Sequence, residues 1–305
     1  MPQWLRSRSG RGTLYVMLSA VMFGVMPVMA KWTYQGGSNA VNLVFHRNAL
    51  ALPLLLPLAF RQAGKDGIVR SFLPVAWLAG ILAGITSLLL YASYEYISVG
   101  MATTLHFVYP LVVALGSSVI FRKPLNGAQK SGLLLGMAGI SLFAIGADGG
   151  GLTGILLALL SGVCYGGYML TIGARELSGI ASYALALQVA MISGLISGVF
   201  GVATGQMSFH LTPAAWGWTL LIAAGITVGA CVLLQVGIRL GGATNAALLS
   251  LLEPITSVFA GIAFLGDRIS VSKMAGCLLI LSGLLLIMVL PGRPRRRTQT
   301  PSQGL

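Results

Sequence analysis

The 305-residue chain is 56% hydrophobic and only 8% charged, with a mean hydropathy of +0.88. Such a composition excludes a water-soluble core and makes the bilayer the solvent of the fold. A net charge of +13 and a pI near 10.2 would suit nucleic acid, but the 19 basic residues lie between apolar runs rather than along one face, so lipid is the expected partner and nucleic acid is not.

A spanning helix needs roughly 20 apolar residues. The first run, 13–34, follows Arg6, Arg8 and Arg11; it is too long for a signal peptide and lacks a cleavage site, so it is expected as a retained helix. Further spans are expected over 40–60, 72–93, 99–121 and 128–147. The Gly-rich joint GADGGG at 146–151 leads to a second set at 152–174, 182–204, 215–238, 242–265 and 270–291, then a basic tail over 292–305. This is an all-α integral membrane protein with ten transmembrane helices in two five-helix units, 13–147 and 152–291. Cys164, Cys231 and Cys277 fall inside separate apolar runs with no metal-binding spacing and are expected as core thiols. No lipidation motif, metal site or cofactor is implied.

The basic residues give the orientation. Alternate connections place fifteen Lys and Arg on one side and only Arg268 and Lys273 on the other, with Lys31 and Arg47 inside the outer ends of the first two spans. Cytoplasmic loops hold such an excess, so both termini are expected in the cytoplasm. Trp32, Trp216 and Trp218 then fall at the outer interface and Trp77 at the inner one.

The halves also resemble each other. A shift of 144 residues superposes Ala102 on Ala246, Pro110 on Pro254, Gly132 on Gly276 and Gly139 on Gly283; a shift of 142 aligns LSAVMFG at 18–24 with LSGVCYG at 160–166. Five spans per half is an odd number, so the copies enter the membrane from opposite sides as an inverted repeat. That symmetry lets one half rock against the other around a midplane site.

FHRNALA at 45–51, ATTLHFVYPL followed by FRKPL, and the second-half stretch NAALLSLLEPITSVFAGIAFLGDRIS resemble the EamA-type carriers of the drug/metabolite transporter superfamily, over nearly the whole chain. One departure is Lys123, where the family has an acid after the fourth span; its second-half counterpart, Asp267, is retained. The resemblance implies a multi-pass protein of the bacterial inner (plasma) membrane that exports small metabolites such as amino acids.

Candidate site residues are the polar groups stranded at membrane depth. Glu253 is the only acid deep in a span, where a charge costs about 2.5–3.5 kcal/mol on insertion scales, so it is a candidate to bind a proton or a cationic group by turns; the alternative is a protonated structural glutamate. Pro254 and Pro110, at equivalent places in the two halves, are expected to kink their helices and free the carbonyls of Ser250 and His106; Pro27 is a third kink candidate. His106 could relay a proton or bond substrate, or be structural. His46 and Arg47 lie two turns into the second span. Arg47 matches the family's arginine there and could hold a substrate carboxylate, although pairing with Glu95 or Asp148 is favoured; Lys31 is expected to reach the outer interface. Tyr91, Tyr94, Phe107, Tyr109, Tyr165 and Tyr168 are candidates for an amphipathic lining.

No Walker motif is present, so a proton or substrate gradient is expected to drive transport by alternating access in a functional monomer. The alternative is a proton-coupled multidrug antiporter in which Glu253 alternates between a proton and a lipophilic cation. An intramembrane enzyme lacks its usual signatures: HExxH, GxSxG and paired membrane aspartates are all missing.

Overall fold

The computed structural model describes residues 8–97, 99–120, 125–144, 152–265 and positions 271, 274–276, 278–279, 282–283 and 286. The joint at 146–151, most of the expected tenth span, the basic tail and Lys123, Asp148, Asp267 and Cys277 lie outside them. Helices follow one another as α1 (Arg8–Gln35), α2 (Ala40–Arg70), α3 (Pro74–Ser93), α4 (Val99–His106), α5 (Tyr109–Ile120), α6 (Gly127–Ala144), α7 (Leu152–Ile172), α8 (Ser182–Ala203), α9 (Pro213–Leu221), α10 (Cys231–Gly241), α11 (Ala243–Leu249) and α12 (Leu252–Leu265). A π-helical stretch, Ile222–Ala230, joins α9 to α10. Among the described residues, seven helical stretches are long and apolar enough to cross a membrane.

Local chemistry sets the boundaries. Asn39 caps α2 by accepting from the Asn42 backbone N–H at 2.8 Å, and Thr212 caps α9 from before Pro213. The α2 path breaks at Gly64, whose φ of +64° is open to glycine, so the apolar part ends about where its span was expected and a short basic segment follows.

Two expected spans are not continuous. The fourth breaks at Phe107 and Val108 into α4 and α5, and the ninth at Ser250 and Leu251 into α11 and α12. Shifting the first break by 144 places it within one residue of the second. Pro110 and Pro254 are therefore not kinks within a helix: each stands in the first turn of a new one, where the missing N–H has no intrahelical partner to lose. The expected free carbonyl of Ser250 is also corrected, because it accepts from the Glu253 backbone N–H at 2.9 Å.

The repeat is visible in the packing. Helix α1 packs on α10 and α12, while α7, its counterpart, packs on α3 and α5; α2 and α8 form the most extensive pair. The aligned motifs end on Gly24 and Gly166, and both glycines admit the same kind of neighbour. A Cβ on Gly24 would lie 2.5 Å from Thr256 Cβ and 2.7 Å from the Glu253 carbonyl oxygen; one on Gly166 would lie 2.7 Å from Val112 Cγ1 and 3.3 Å from the Tyr109 carbonyl oxygen. Thr256 and Glu253 are Val112 and Tyr109 shifted by 144, so one glycine contact is used twice.

Loop contacts separate into two sets. At one end Thr212 N–H donates to the Gly36 carbonyl, Asn39 Nδ2 to the Gln206 carbonyl and Ser208 N–H to Asn42 Oδ1, with Trp32 and Trp218 rings 4.4 Å apart. At the other, Tyr183 N–H donates to Gln62 Oε1, Gln129 Nε2 to Asn245 Oδ1 at 2.8 Å, and Arg239 to the Ile180 carbonyl and Ser182 hydroxyl. These are the loops expected outside and inside, respectively. Val119, Val202, Leu134 and Leu152 stay exposed while Arg47, His106, Gln188 and Gln235 are buried, an arrangement that suits a lipid-facing surface around a polar interior.

Candidate functional site

Between the broken helices and α1–α3 lies a chamber of about 70 Å³, bordered by Met26, Pro27, Arg47, Thr86, Ser87, Tyr91, Tyr94, Thr103, His106, Tyr165 and Glu253. The tight turns that break the two spans position its polar groups: His106 closes α4 and Glu253 opens α12. Under the internal alignment His106 corresponds to Ser250 and Glu253 to Tyr109, so the halves share a backbone but place different chemistry at the centre.

Arg47 is 8% exposed and has no carboxylate partner among the described residues. Its Nη2 donates to Ser87 Oγ at 2.7 Å, its Nη1 faces Met26 Sδ at 3.9 Å and its guanidinium carbon lies 5.4 Å from the Tyr91 ring centroid. Tyr91 in turn donates to Met26 Sδ at 2.9 Å. The pairing of Arg47 with Glu95 is thus overturned: Glu95 is exposed in the α3–α4 connection, while Arg47 points inward. Arg47 Nε has no hydrogen-bond partner, leaving one donor of a buried cation unused.

His106 Nδ1 lies 2.8 Å from Ser161 Oγ, and that hydroxyl donates to the Ala158 carbonyl at 2.6 Å. The single hydroxyl proton is committed, so Nδ1 carries the proton and donates, leaving Nε2 as the ring's other polar atom. The His106 carbonyl abuts Gly162, where any side chain would collide with it.

The remaining candidates divide. Tyr94 and Tyr165 border the chamber; Phe107 and Tyr109 do not, Tyr109 packing 4.8 Å from Tyr165 and Phe107 5.2 Å from Tyr109, centroid to centroid. His46 faces away from Arg47 into Phe209 and Trp216, at 5.1 and 4.8 Å between centroids. Lys31 is exposed.

A second chamber of about 70 Å³ shares Phe23, Arg47, Thr86, Ser87 and Tyr165 with the first. It extends between α1, α2, α3, α7, α8, the π-helical stretch and α10, and adds Asn48, Ser193, Thr227 and Gln235. Sequence reasoning missed these residues. Asn48 and Gln235 carried a signal, being amides within apolar runs; the hydroxyls carried none.

A vestibule of about 1010 Å³ lies nearer the basic side, bordered by Leu82, Gln129, Gly167, Arg175, Glu176 and Asn245 among others. Leu82 and Gly167 border it, and the residues that follow them in α3 and α7, Ala83 and Tyr168, border the second chamber.

Residues 10–145 and 152–289 each match the EamA-like transporter family. The uncharacterized transporter YcbK of Bacillus subtilis (strain 168) is 29% identical over 283 residues, 87% of this chain and 89% of that one. Threonine/homoserine exporter RhtA of Salmonella typhimurium (strain LT2) is 26% identical over 296 residues, 93% and 92% of the two chains. A protein known from its crystal structure shares the fold, with a TM-score of 0.78 at 16% identity over 92% of this chain and 99% of its own.

Proposed function

We propose, for a chain that belongs to the EamA-like transporter family, that it is a secondary active exporter of amino acids or closely related small zwitterions across the bacterial inner membrane. The observation that carries this reading is the first chamber, whose wall holds Arg47, a guanidinium with no carboxylate partner among the described residues, and a carboxyl group, Glu253. A free amino acid brings a carboxylate for the first and an ammonium for the second, so each buried group gains a partner on loading. Similarity to the threonine/homoserine exporter supports the same class.

In this reading ten spans form two inverted five-helix repeats, with both termini in the cytoplasm and one transport path per monomer. The paired breaks, the twice-used glycine contact and the two loop sets support it. The vestibule lies at the end with the basic loops, taken in this reading as cytoplasmic, and rocking of the repeats would expose the chambers to either face in turn. Protonation of Glu253 releases the ammonium group and couples export to inward proton movement.

The test is release from proteoliposomes preloaded with a mixed amino-acid pool, followed by mass spectrometry under an imposed pH gradient. Selective release of amino acids is expected. No release from the amino-acid pool, with gradient-driven movement of lipophilic cations instead, would overturn the assignment in favour of drug antiport.

A further inference from the structure

The second chamber contains a set of buried polar atoms without partners. Gln235 is fully buried; its Nε2 donates to Tyr168 Oη at 3.2 Å, and its Oε1 has no partner. Thr227 Oγ1 and Thr86 Oγ1 are likewise buried without one, in residues each 6% exposed, and Arg47 Nε joins them at the wall shared with the first chamber. Buried polar atoms are nearly always bonded, and an orphan keeps its full desolvation cost. Four orphans around one cavity describe a surface that is satisfied by something not made by the protein. All are neutral except the shared arginine, and Ala83, Ala186, Val189, Ala190 and Leu234 are among the apolar residues of the lining.

We infer that this chamber is the side-chain subsite of the carrier, and that it selects amino acids whose side chains bear a neutral hydroxyl or carboxamide. The inference rests on the amino-acid reading of the first chamber. With the carboxylate at Arg47 and the ammonium toward Glu253, the side chain enters past the shared wall of Thr86, Ser87 and Tyr165. There a hydroxyl or amide donates to Gln235 Oε1 and bonds Thr227 Oγ1. An aliphatic side chain leaves both unpaired. A carboxylate side chain has no proton for Gln235 Oε1, and an ammonium side chain would bury a cation beside Arg47 with no anion in the chamber. The π-helical stretch places Thr227 within this wall; such stretches turn a helix face out of its regular register.

The experiment measures competition by unlabelled threonine, glutamine, valine, leucine, glutamate and lysine against labelled threonine uptake into proteoliposomes, for the wild-type protein and for Thr227→Val, Gln235→Leu and the double variant. The wild-type chain is expected to prefer threonine over its near-isostere valine by at least about tenfold, because the subsite's polar atoms go unpaired with valine. Thr227→Val is expected to shrink that ratio severalfold, and the double variant to bring valine level with or above threonine. Thr227→Val is nearly isosteric, and thermal stability in detergent checks the folding of all three variants. Wild-type discrimination that survives in both folded single variants would overturn the subsite while leaving the exporter reading intact. Equal competition by all six amino acids in the wild type would also overturn it, whereas failure of every amino acid to compete or be transported would remove the exporter reading itself.

Discussion

Arg47 and Glu253 are separable by substitution. Arg47→Lys keeps the charge but loses the planar fork that grips a carboxylate, so KM is expected to rise about tenfold, and Arg47→Gln to abolish saturable transport at millimolar substrate. Glu253→Gln is expected to remove gradient-driven release while leaving exchange with a raised KM, since the carboxamide oxygen still accepts from the ammonium but the side chain no longer ionises. Both were legible as charges stranded in apolar runs, and so was His106 as a titratable group. Direction was not legible. His46 and Arg47 are neighbours in sequence, but successive residues point about 100° apart around a helix, and the pair divides between an aromatic cluster and the chamber. Thr86, Ser87 and Thr227 were invisible because helical hydroxyls commonly bond their own backbone, and only assembly of the helices shows which of them do not.

Helix breaks carry the next level. The 144-residue shift identified Pro110 and Pro254 as equivalents, but a proline reads alike in a kinked helix and at the start of a new one. The structure assigns both to first turns, so Pro254→Ala is expected to change detergent-phase thermal stability little, by less than about 1 kcal/mol, whereas an interior proline restored to alanine would gain or lose more. Gly24 and Gly166 are the opposite case. A larger residue at either must push α1 off α12 or α7 off α5, so Gly24→Val and Gly166→Val should each destabilise by about 1–3 kcal/mol or prevent folding, measured by the same melting curves. Comparable effects at the two positions would reflect the shared contact. Span positions themselves were legible from hydropathy because the lipid-facing perimeter must be apolar, and α7 and α8 end within two residues of expectation.

At the scale of the molecule, inverted topology predicts which loops share a face. Single cysteines at Asn39 and Gln206, in a chain whose native cysteines are replaced, are expected to react with an impermeant maleimide on intact cells, and cysteines at Gln62 and Gln129 only after permeabilisation. Asn39 is hydrogen-bonded to the Gln206 carbonyl at one end, and Gln62 accepts from Tyr183 and Gln129 donates to Asn245 at the other; the count of basic residues distinguished those ends in the sequence. Charge counting could do so because it depends only on sidedness; the chambers and vestibule depend on how helices far apart in sequence meet, which no local pattern records. The most direct test of alternating access is counterflow. Proteoliposomes loaded with excess unlabelled threonine and diluted into a trace of labelled threonine, with no ion gradient, should transiently accumulate label above its external concentration, because one site returns loaded from each side. Label that rises only to equilibrium, at a rate indifferent to the internal load, would identify a pore and contradict the carrier.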